Sequence, residues 1–78
     1  MHIKVLGPGC KNCVALEQRT REALDALGRD AEIEKVTDYG EMLAYGIMQT
    51  PALVVDDEVV LSGKVPSARR LQALLDGA

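Results

Sequence analysis

Apolar positions recur at helical spacing in the first third of the chain, after a short run typical of a strand. Residues 2–6 are mainly apolar and predict the strand, which Gly7-Pro8-Gly9 ends. The spacing that follows predicts a helix from about Cys10 to Leu27, with Gly28 as its C-terminal cap. The stripe expected to be buried consists of Cys13, Leu16, Thr20, Ala23, Leu24 and Leu27. The positions expected mainly on the solvent side are Glu17, Arg21, Glu22 and Asp25.

A charged strand and a second helix are expected next. Residues 31–36 alternate Ala31 and Ile33 with charged side chains, which is typical of a half-buried strand at a sheet edge. Asp38 followed by Glu41 resembles a capping box and predicts a helix that runs to about Met48. The apolar side chains expected on this helix are Met42, Leu43, Tyr45 and Ile47. Met42 and Met48 are interpreted as core residues rather than metal ligands, and Tyr39 and Tyr45 are expected to pack on the helix.

The third and fourth strands are expected to form a hairpin. Thr50-Pro51 leads into an uninterrupted apolar run, residues 52–55, that predicts the third strand. Asp56-Asp57 predicts a tight turn, because Asp tolerates turn conformations. The fourth strand is then predicted over residues 58–61, and Ser62-Gly63-Lys64 ends it.

The last segment predicts a helix and completes the element order. Pro66-Ser67 opens this helix, and it is expected to stop near Gly77. Its expected buried positions are Ala68, Leu71, Leu74 and Leu75. The order is βαβαββα, in which the first crossover favours a parallel strand pair and the closing hairpin is antiparallel. The sequence therefore predicts an α/β fold, a mixed four-stranded sheet with helices on both faces, in one domain over residues 1–78.

Composition and charge narrow the functional classes. The 78 residues are 47% hydrophobic and lack Phe and Trp, so the core is expected to be aliphatic. Nine basic and twelve acidic residues give a net charge of −3, which argues against a nucleic-acid partner. No basic cluster suggests a membrane surface, and no apolar stretch approaches the roughly 20 residues of a membrane span. A monomeric, cytoplasmic protein without a cofactor or bound metal is expected.

The two cysteines are the candidate chemistry. Cys10 and Cys13 lie where the first strand turns into the first helix. A disulfide between them would close a loop too short to stabilise the fold effectively. Unpaired amides and the positive end of the helix dipole are expected to lower the pKa of the Cys10 thiol, with Lys11 adding a nearby cation. Cys13 follows one turn later on the buried stripe. We therefore expect Cys10 to attack a disulfide and Cys13 to resolve the mixed disulfide.

Three motifs give the chain a family resemblance. These are Gly7-Pro8-Gly9-Cys10-Lys11-Asn12-Cys13, Thr50-Pro51 before the third strand, and Gly63 after the fourth. With them the sequence resembles the thioredoxin-like superfamily in its short, glutaredoxin-like form, whose small redox-active disulfide proteins carry Gly-x-Gly-Cys-x-x-Cys. The chain departs from thioredoxin itself in having no Trp, in Lys11-Asn12 between the cysteines, and in having Lys4 as the only charge of the first strand. No equivalent of thioredoxin's buried acid is therefore expected.

The resemblance implies more about the site. It implies that Pro51 follows a cis peptide bond and lies against the cysteines. It also implies that the backbone of Thr50 pairs with the substrate chain like an added strand. The partners implied are a disulfide-containing protein substrate and a reductant, either a thioredoxin-reductase-like enzyme or glutathione.

Two other functions use the same cysteines. Two thiolates suit Cu(I), as in carriers of similar length, but those carriers have the order βαββαβ and usually a Met where this chain has Pro8. A redox-sensing adaptor, whose disulfide state changes partner binding, would need no other residues. His2, the only histidine, is expected at the surface at the far end of the first strand from Cys10.

Overall fold

A mixed sheet of four strands in the order β2-β1-β3-β4 organises the fold. The structure is a computed structural model that describes residues 1–76. Helices connect or follow the strands as the apolar periodicity predicts. The elements are β1 (His2–Leu6), α1 (Lys11–Leu27), β2 (Glu32–Val36), α2 (Tyr39–Ala44), β3 (Ala52–Val55), β4 (Glu58–Ser62) and α3 (Ala68–Asp76).

Strand pairing confirms the predicted mixed sheet. β1 pairs in parallel with β2, with Val5 opposite Lys35, and antiparallel with β3, with Leu6 opposite Ala52. β3 and β4 form the predicted hairpin, in which Asp56 and Asp57 adopt left-handed φ angles of 49° and 68°. The charged strand β2 lies at an edge, as expected. The observed order βαβαββα differs from the βαββαβ order of the copper carriers.

One face of the sheet carries the larger core, formed with α1 and α3. Its central residues are aliphatic, as the absence of Phe and Trp requires. Alternate positions of β1 and β3 point to this face because side chains alternate along a strand. The buried members of the larger core are Ile3, Val5, Leu16, Ala23, Leu24, Leu53, Val55, Leu71 and Leu75.

The opposite face carries the smaller core, formed with α2. Its buried members are Leu6, Val36, Met42, Ile47, Ala52 and Val54, and Tyr45 packs against them. Lys4 lies on this face and donates a hydrogen bond from Nζ to Tyr45 Oη at 2.9 Å. Tyr45 Oη in turn donates to Asp57 at 3.2 Å. The hydrogen bond from Lys4 to Tyr45 raises the pKa of Lys4 above its ordinary value of 10.5. Helices therefore cover both faces, as predicted.

The second helix is shorter than predicted. Asp38 caps it by accepting a hydrogen bond from the Gly40 amide at 3.3 Å, but the helix ends at Ala44 rather than near Met48. The chain leaves the helix at Gly46, whose left-handed φ of 73° ends the helical path. The prediction that Met48 is a core residue is wrong, since it is 95% exposed. Leu43, expected among the helix's apolar side chains, is also exposed.

The remaining boundaries agree closely with the predictions. Cys10 precedes α1 as its cap, and Gly28 ends that helix with a left-handed φ of 65°. β2 begins one residue later than predicted and β4 extends one residue further, to Ser62. Ser67 caps α3 by accepting a hydrogen bond from the Arg70 amide at 3.3 Å. The predicted stop near Gly77 lies outside the described residues. Within residues 1–76, no helix combines the length and apolar character needed to cross a bilayer.

Candidate active site

The turn between β1 and α1 places the first cysteine at the start of a helix. Gly9 supplies the left-handed φ of 85° that redirects the chain, and Cys10 follows in an extended conformation as the N-cap of α1. The Cys10 sulfur accepts a hydrogen bond from the backbone amide of Cys13 at 3.3 Å. This bond satisfies one of the otherwise unpaired amides of the first turn. A thiolate at Cys10 would therefore lie at the positive end of the helix dipole.

The two cysteines differ sharply in exposure. Cys10 is exposed, whereas Cys13 is 5% exposed on the face of α1 that packs against the sheet. The two residues form a disulfide, with their Cα atoms 5.1 Å apart. The first sulfur is therefore accessible from solvent and the second lies behind it, because Cys10 precedes the helix and Cys13 lies on its buried face.

Gly7 makes room for the buried sulfur. A β-carbon at this position would overlap Cys13 Sγ, and it would also lie 3.8 Å from Thr50 Cβ. The Gly7 amide donates to the Val36 carbonyl at 2.9 Å, which fixes this turn to the end of β2. The sequence indicated Gly7 as the end of a strand and as the first residue of the cysteine motif. Its close approach to Cys13, six residues later, depends on how the turn leads into α1, which the pattern of apolar positions does not reveal.

Thr50 lies beside the cysteine turn, and Pro51 follows it in the chain. Thr50 and Cys13 both border the space beside Gly7, although they are 37 positions apart in the sequence. The Thr50–Pro51 peptide bond is cis. Pro51 is buried, while Thr50 is exposed and precedes the pairing of β3 with β1, which ends at Ala52. The structure thus brings Thr50 to the turn that carries Cys10 and Cys13, with Pro51 next to it in the chain.

Lys11 and His2 are placed at the surface. Lys11 is exposed in the first turn of α1. Its side chain makes no hydrogen bond or ion pair with the rest of residues 1–76. His2 lies at the other end of β1 and contacts Glu32 at 3.2 Å. Among the part of the chain that the structure describes, no three His, Cys, Asp or Glu side chains cluster as metal ligands.

Glu17 is a charged neighbour of the site that the sequence analysis missed. It was expected to face the solvent, but its side chain is only 13% exposed. Glu17 and Cys13 line the same crevice of about 40 Å³, together with Val5 and Gly7. The spacing of four residues from Cys13 is the signal that could have indicated this, because such positions share a helix face.

Two cations hold the Glu17 carboxylate in its charged form. Lys35 on β2 and Arg21 one turn further along α1 each lie 3.0 Å from it. Burial raises the pKa of Glu17, but the hydrogen bonds from Lys35 and Arg21 outweigh burial and leave that pKa below its ordinary value. The site therefore has an ionised carboxylate one helical turn behind the buried cysteine.

Comparisons with known proteins agree with this geometry. The Thioredoxin domain family matches residues 1–76. A protein named thioredoxin from Methanothermobacter thermautotrophicus is 40% identical over 75 residues, which cover 96% of this chain and 97% of that protein. A second protein of that name, from Methanocaldococcus jannaschii, is 39% identical over 70 residues, which cover 90% of this chain and 80% of that one.

The family matches and the disulfide between Cys10 and Cys13 indicate the same function. They show a thiol–disulfide oxidoreductase whose redox-active pair is the close Cys10–Cys13 couple. The match extends across both cores and the whole cysteine turn. This chain belongs to the thioredoxin domain family.

Proposed function

We propose that Cys10 is the attacking thiol and Cys13 the resolving thiol in the reduction of a protein disulfide. The observation that carries this proposal is the difference in exposure, since Cys10 is exposed at a helix start and Cys13 is 5% exposed behind it. The thiolate is the reactive form in disulfide exchange, and the amides at the start of α1 favour it at Cys10. Lys11, exposed beside Cys10, adds a positive charge that favours the same form.

The reaction proceeds in two displacements. The Cys10 thiolate attacks one sulfur of the substrate disulfide, so that a mixed disulfide forms and the other substrate sulfur leaves as a thiolate. Cys13 then loses its proton to solvent and attacks the Cys10 sulfur, which breaks the mixed disulfide and releases the second substrate thiolate. Two electrons have passed to the substrate, whose two thiolates take up protons from water. The protein retains the Cys10–Cys13 disulfide, which an external reductant restores to two thiols.

Thr50 is proposed to bind the substrate through its backbone. It is exposed beside the cysteines and precedes the point where β3 joins the sheet. An extended substrate segment placed there would pair with it as an added strand, with Pro51 packed beneath. The family implies disulfide substrates and a reductase partner in general. Whether that partner is thioredoxin-reductase-like or glutathione is tested by supplying each as the only reductant.

Trapping distinguishes the roles of the two thiols. Cys13→Ser keeps the attacking thiol but removes the resolving one, so incubation with a disulfide-containing protein is expected to accumulate a mixed disulfide at Cys10. Cys10→Ser, the matched control, is expected to accumulate none, because its remaining thiol is buried. Non-reducing electrophoresis and peptide mapping provide the measurement. Equal trapping by the two variants would contradict the proposal.

Turnover separates an oxidoreductase mechanism from a redox-sensing adaptor. An adaptor changes its partner binding with its disulfide state, whereas the proposed reaction consumes reductant in proportion to substrate reduced. Repeated reduction of a substrate present in excess over the protein therefore supports the proposal. A single domain spanning residues 1–78, a monomeric state and a cytoplasmic location stay predictions of the sequence.

A further inference from the structure

We propose that Gly63, together with Gln49 and Pro51, forms a clamp that fixes the backbone of Thr50 for pairing with a substrate strand. This inference rests on the substrate-binding role proposed for Thr50. The three residues are called the Gly63 clamp below. Gly63 follows β4, whereas the other two flank Thr50 on the connection between α2 and β3.

The first contact of the clamp lies on the C-terminal side of Thr50. The Gly63 amide donates a hydrogen bond to the Pro51 carbonyl at 2.8 Å. This bond continues the pairing of β3 with β4 beyond Ala52 and Ser62, the last pair of that ladder. It therefore ties the residue after Thr50 to the sheet.

The second contact lies on the N-terminal side of Thr50. The Gln49 side chain occupies the space in which a β-carbon of Gly63 would lie, with its Cβ 3.1 Å and its Cδ 3.2 Å from that position. A β-carbon at Gly63 would force the Gln49 side chain to move, and Gly63 also has a left-handed φ of 75°. One glycine thus contacts the residues on both sides of Thr50.

The clamp acts on position rather than on the core. Gln49 and Gly63 are exposed and belong to neither core, so their contact buries no apolar side chain. Its consequence is that Thr50 has fewer backbone conformations to lose when a substrate strand pairs with it. An extended protein substrate gains from this, whereas a small disulfide that forms no strand does not.

The test compares two disulfides of different size. Reduced protein is mixed with a disulfide-linked dimer of an extended peptide, or with the small aromatic disulfide DTNB, and the single-turnover rate is measured against concentration. Gln49→Ala is expected to raise the half-saturating peptide concentration about tenfold by releasing one side of Thr50, with the maximal rate and the DTNB rate changed less than about twofold. Gln49→Met, which keeps a side chain of similar length over Gly63, is expected to restore the wild-type value.

Gly63→Ala and Gly46→Ala form a matched pair. Both glycines have nearly the same left-handed φ, 75° and 73°, so both substitutions place a side chain at a similarly unfavourable φ. Nothing lies within 4 Å of a β-carbon at Gly46, whereas one at Gly63 would meet Gln49. Gly63→Ala is therefore expected to weaken peptide saturation, and Gly46→Ala is not. Combining Gly63→Ala with Gln49→Ala should add little to the larger single effect, because both break one contact.

The outcomes separate this inference from the proposed function. Wild-type kinetics in Gln49→Ala, or an equal rise in both glycine variants, would overturn the clamp while leaving the cysteine chemistry intact. A loss of rate with DTNB equal to that with the peptide would also overturn it, because the effect would then act on the cysteines. Reduction of DTNB by Cys10→Ser at the wild-type rate would instead overturn the proposed function.

Discussion

The two faces of the sheet carry hydrophobic cores of different size. The larger core is closed by two helices, α1 and α3, of 17 and nine residues. The smaller core is closed by α2, which has six residues and buries only Met42 completely. On that thinner face Lys4 is stabilised within the sheet by Tyr45, while Leu43 and Met48 remain exposed.

Because α2 on the smaller face is short, the residues that follow it are available to reach the candidate active site. Because α2 ends at Ala44, the six residues from Tyr45 to Thr50 are free to cross the end of the sheet. Two of them, Tyr45 and Ile47, still pack on the smaller core. The connection is therefore anchored at its start and presents Thr50 beside the cysteines at its end. On the larger face, α1 carries the cysteines at its start, and its later turns form the aliphatic core together with α3.

The largest effect is expected from truncating a residue of the larger core. Leu71→Ala should lower the free energy of unfolding by about 4 kcal/mol, because Leu71 is wholly enclosed between helices and sheet. Met42→Ala should lower it by about 2 kcal/mol, since the margins of the smaller core can relax into the space. Urea unfolding of the oxidised variants measures both values. The comparison of the faces fails if Met42→Ala is as destabilising as Leu71→Ala.

An intermediate effect is expected from the charged contacts, with opposite pH dependence on the two faces. The pKa of Glu17 is lowered in the folded protein, so its contacts with Lys35 and Arg21 stabilise the fold above about pH 4.5. This stabilisation is lost as the pH falls further. The pKa of Lys4 is raised, so its bond to Tyr45 contributes below pH 10.5 and is lost at higher pH. The difference in the free energy of unfolding between wild type and Glu17→Gln should thus shrink at acid pH. The corresponding difference between wild type and Lys4→Met should shrink at alkaline pH.

Unfolding free energies measured across pH provide this check. Glu22→Gln is the matched control for the acid range, because Glu22 is exposed on the same helix and lies outside the ion pairs. High salt should reduce the Glu17 effect only partly, since that carboxylate is shielded from solvent. If the stability of wild type relative to Glu17→Gln instead grows as the pH falls, the contacts with Lys35 and Arg21 do not outweigh the cost of burying the carboxylate.

The smallest effect is expected at Met48. Met48→Ser should change the free energy of unfolding by less than about 0.5 kcal/mol, because the side chain is 95% exposed and supports neither core. Met42→Ser makes the same substitution at a methionine that is only 2% exposed, and it serves as the contrast. Thermal melts of the two variants side by side are sufficient, and a similar loss in both would restore the interpretation of Met48 as a core residue.

The sequence predicted the larger face well because its signals are local. Helix α1 repeats its apolar positions over 17 residues, and Cys13, Leu16 and Ala23 are buried as that spacing requires. Helix α2 was extended too far because Tyr45 and Ile47 continue the helical spacing. They do pack on the core, but the backbone carries them there after turning at Gly46.

A site residue was easier to predict where its placement depends on its neighbours in sequence. The positions of Cys10 and Cys13 followed from a strand-to-helix turn, and those of Thr50 and Pro51 from the family resemblance. Glu17 was missed because its burial depends on Lys35, which arrives from another strand. Gln49 and Gly63 were missed as partners for the same reason, since 14 residues and a hairpin separate them.

The chemistry of this chain is confined to one pole of the sheet. The cysteine turn, Thr50 and Gly63 lie where β1 and β4 end and β3 begins, whereas the Asp56-Asp57 turn and Gly28 lie at the opposite pole. That second pole is open to engineering, because a surface tether attached at Asp30, which is exposed beside Gly28, would leave the sulfur atoms facing away from the support. Immobilised in that orientation, the molecule could be regenerated in a flow cell between disulfide loads.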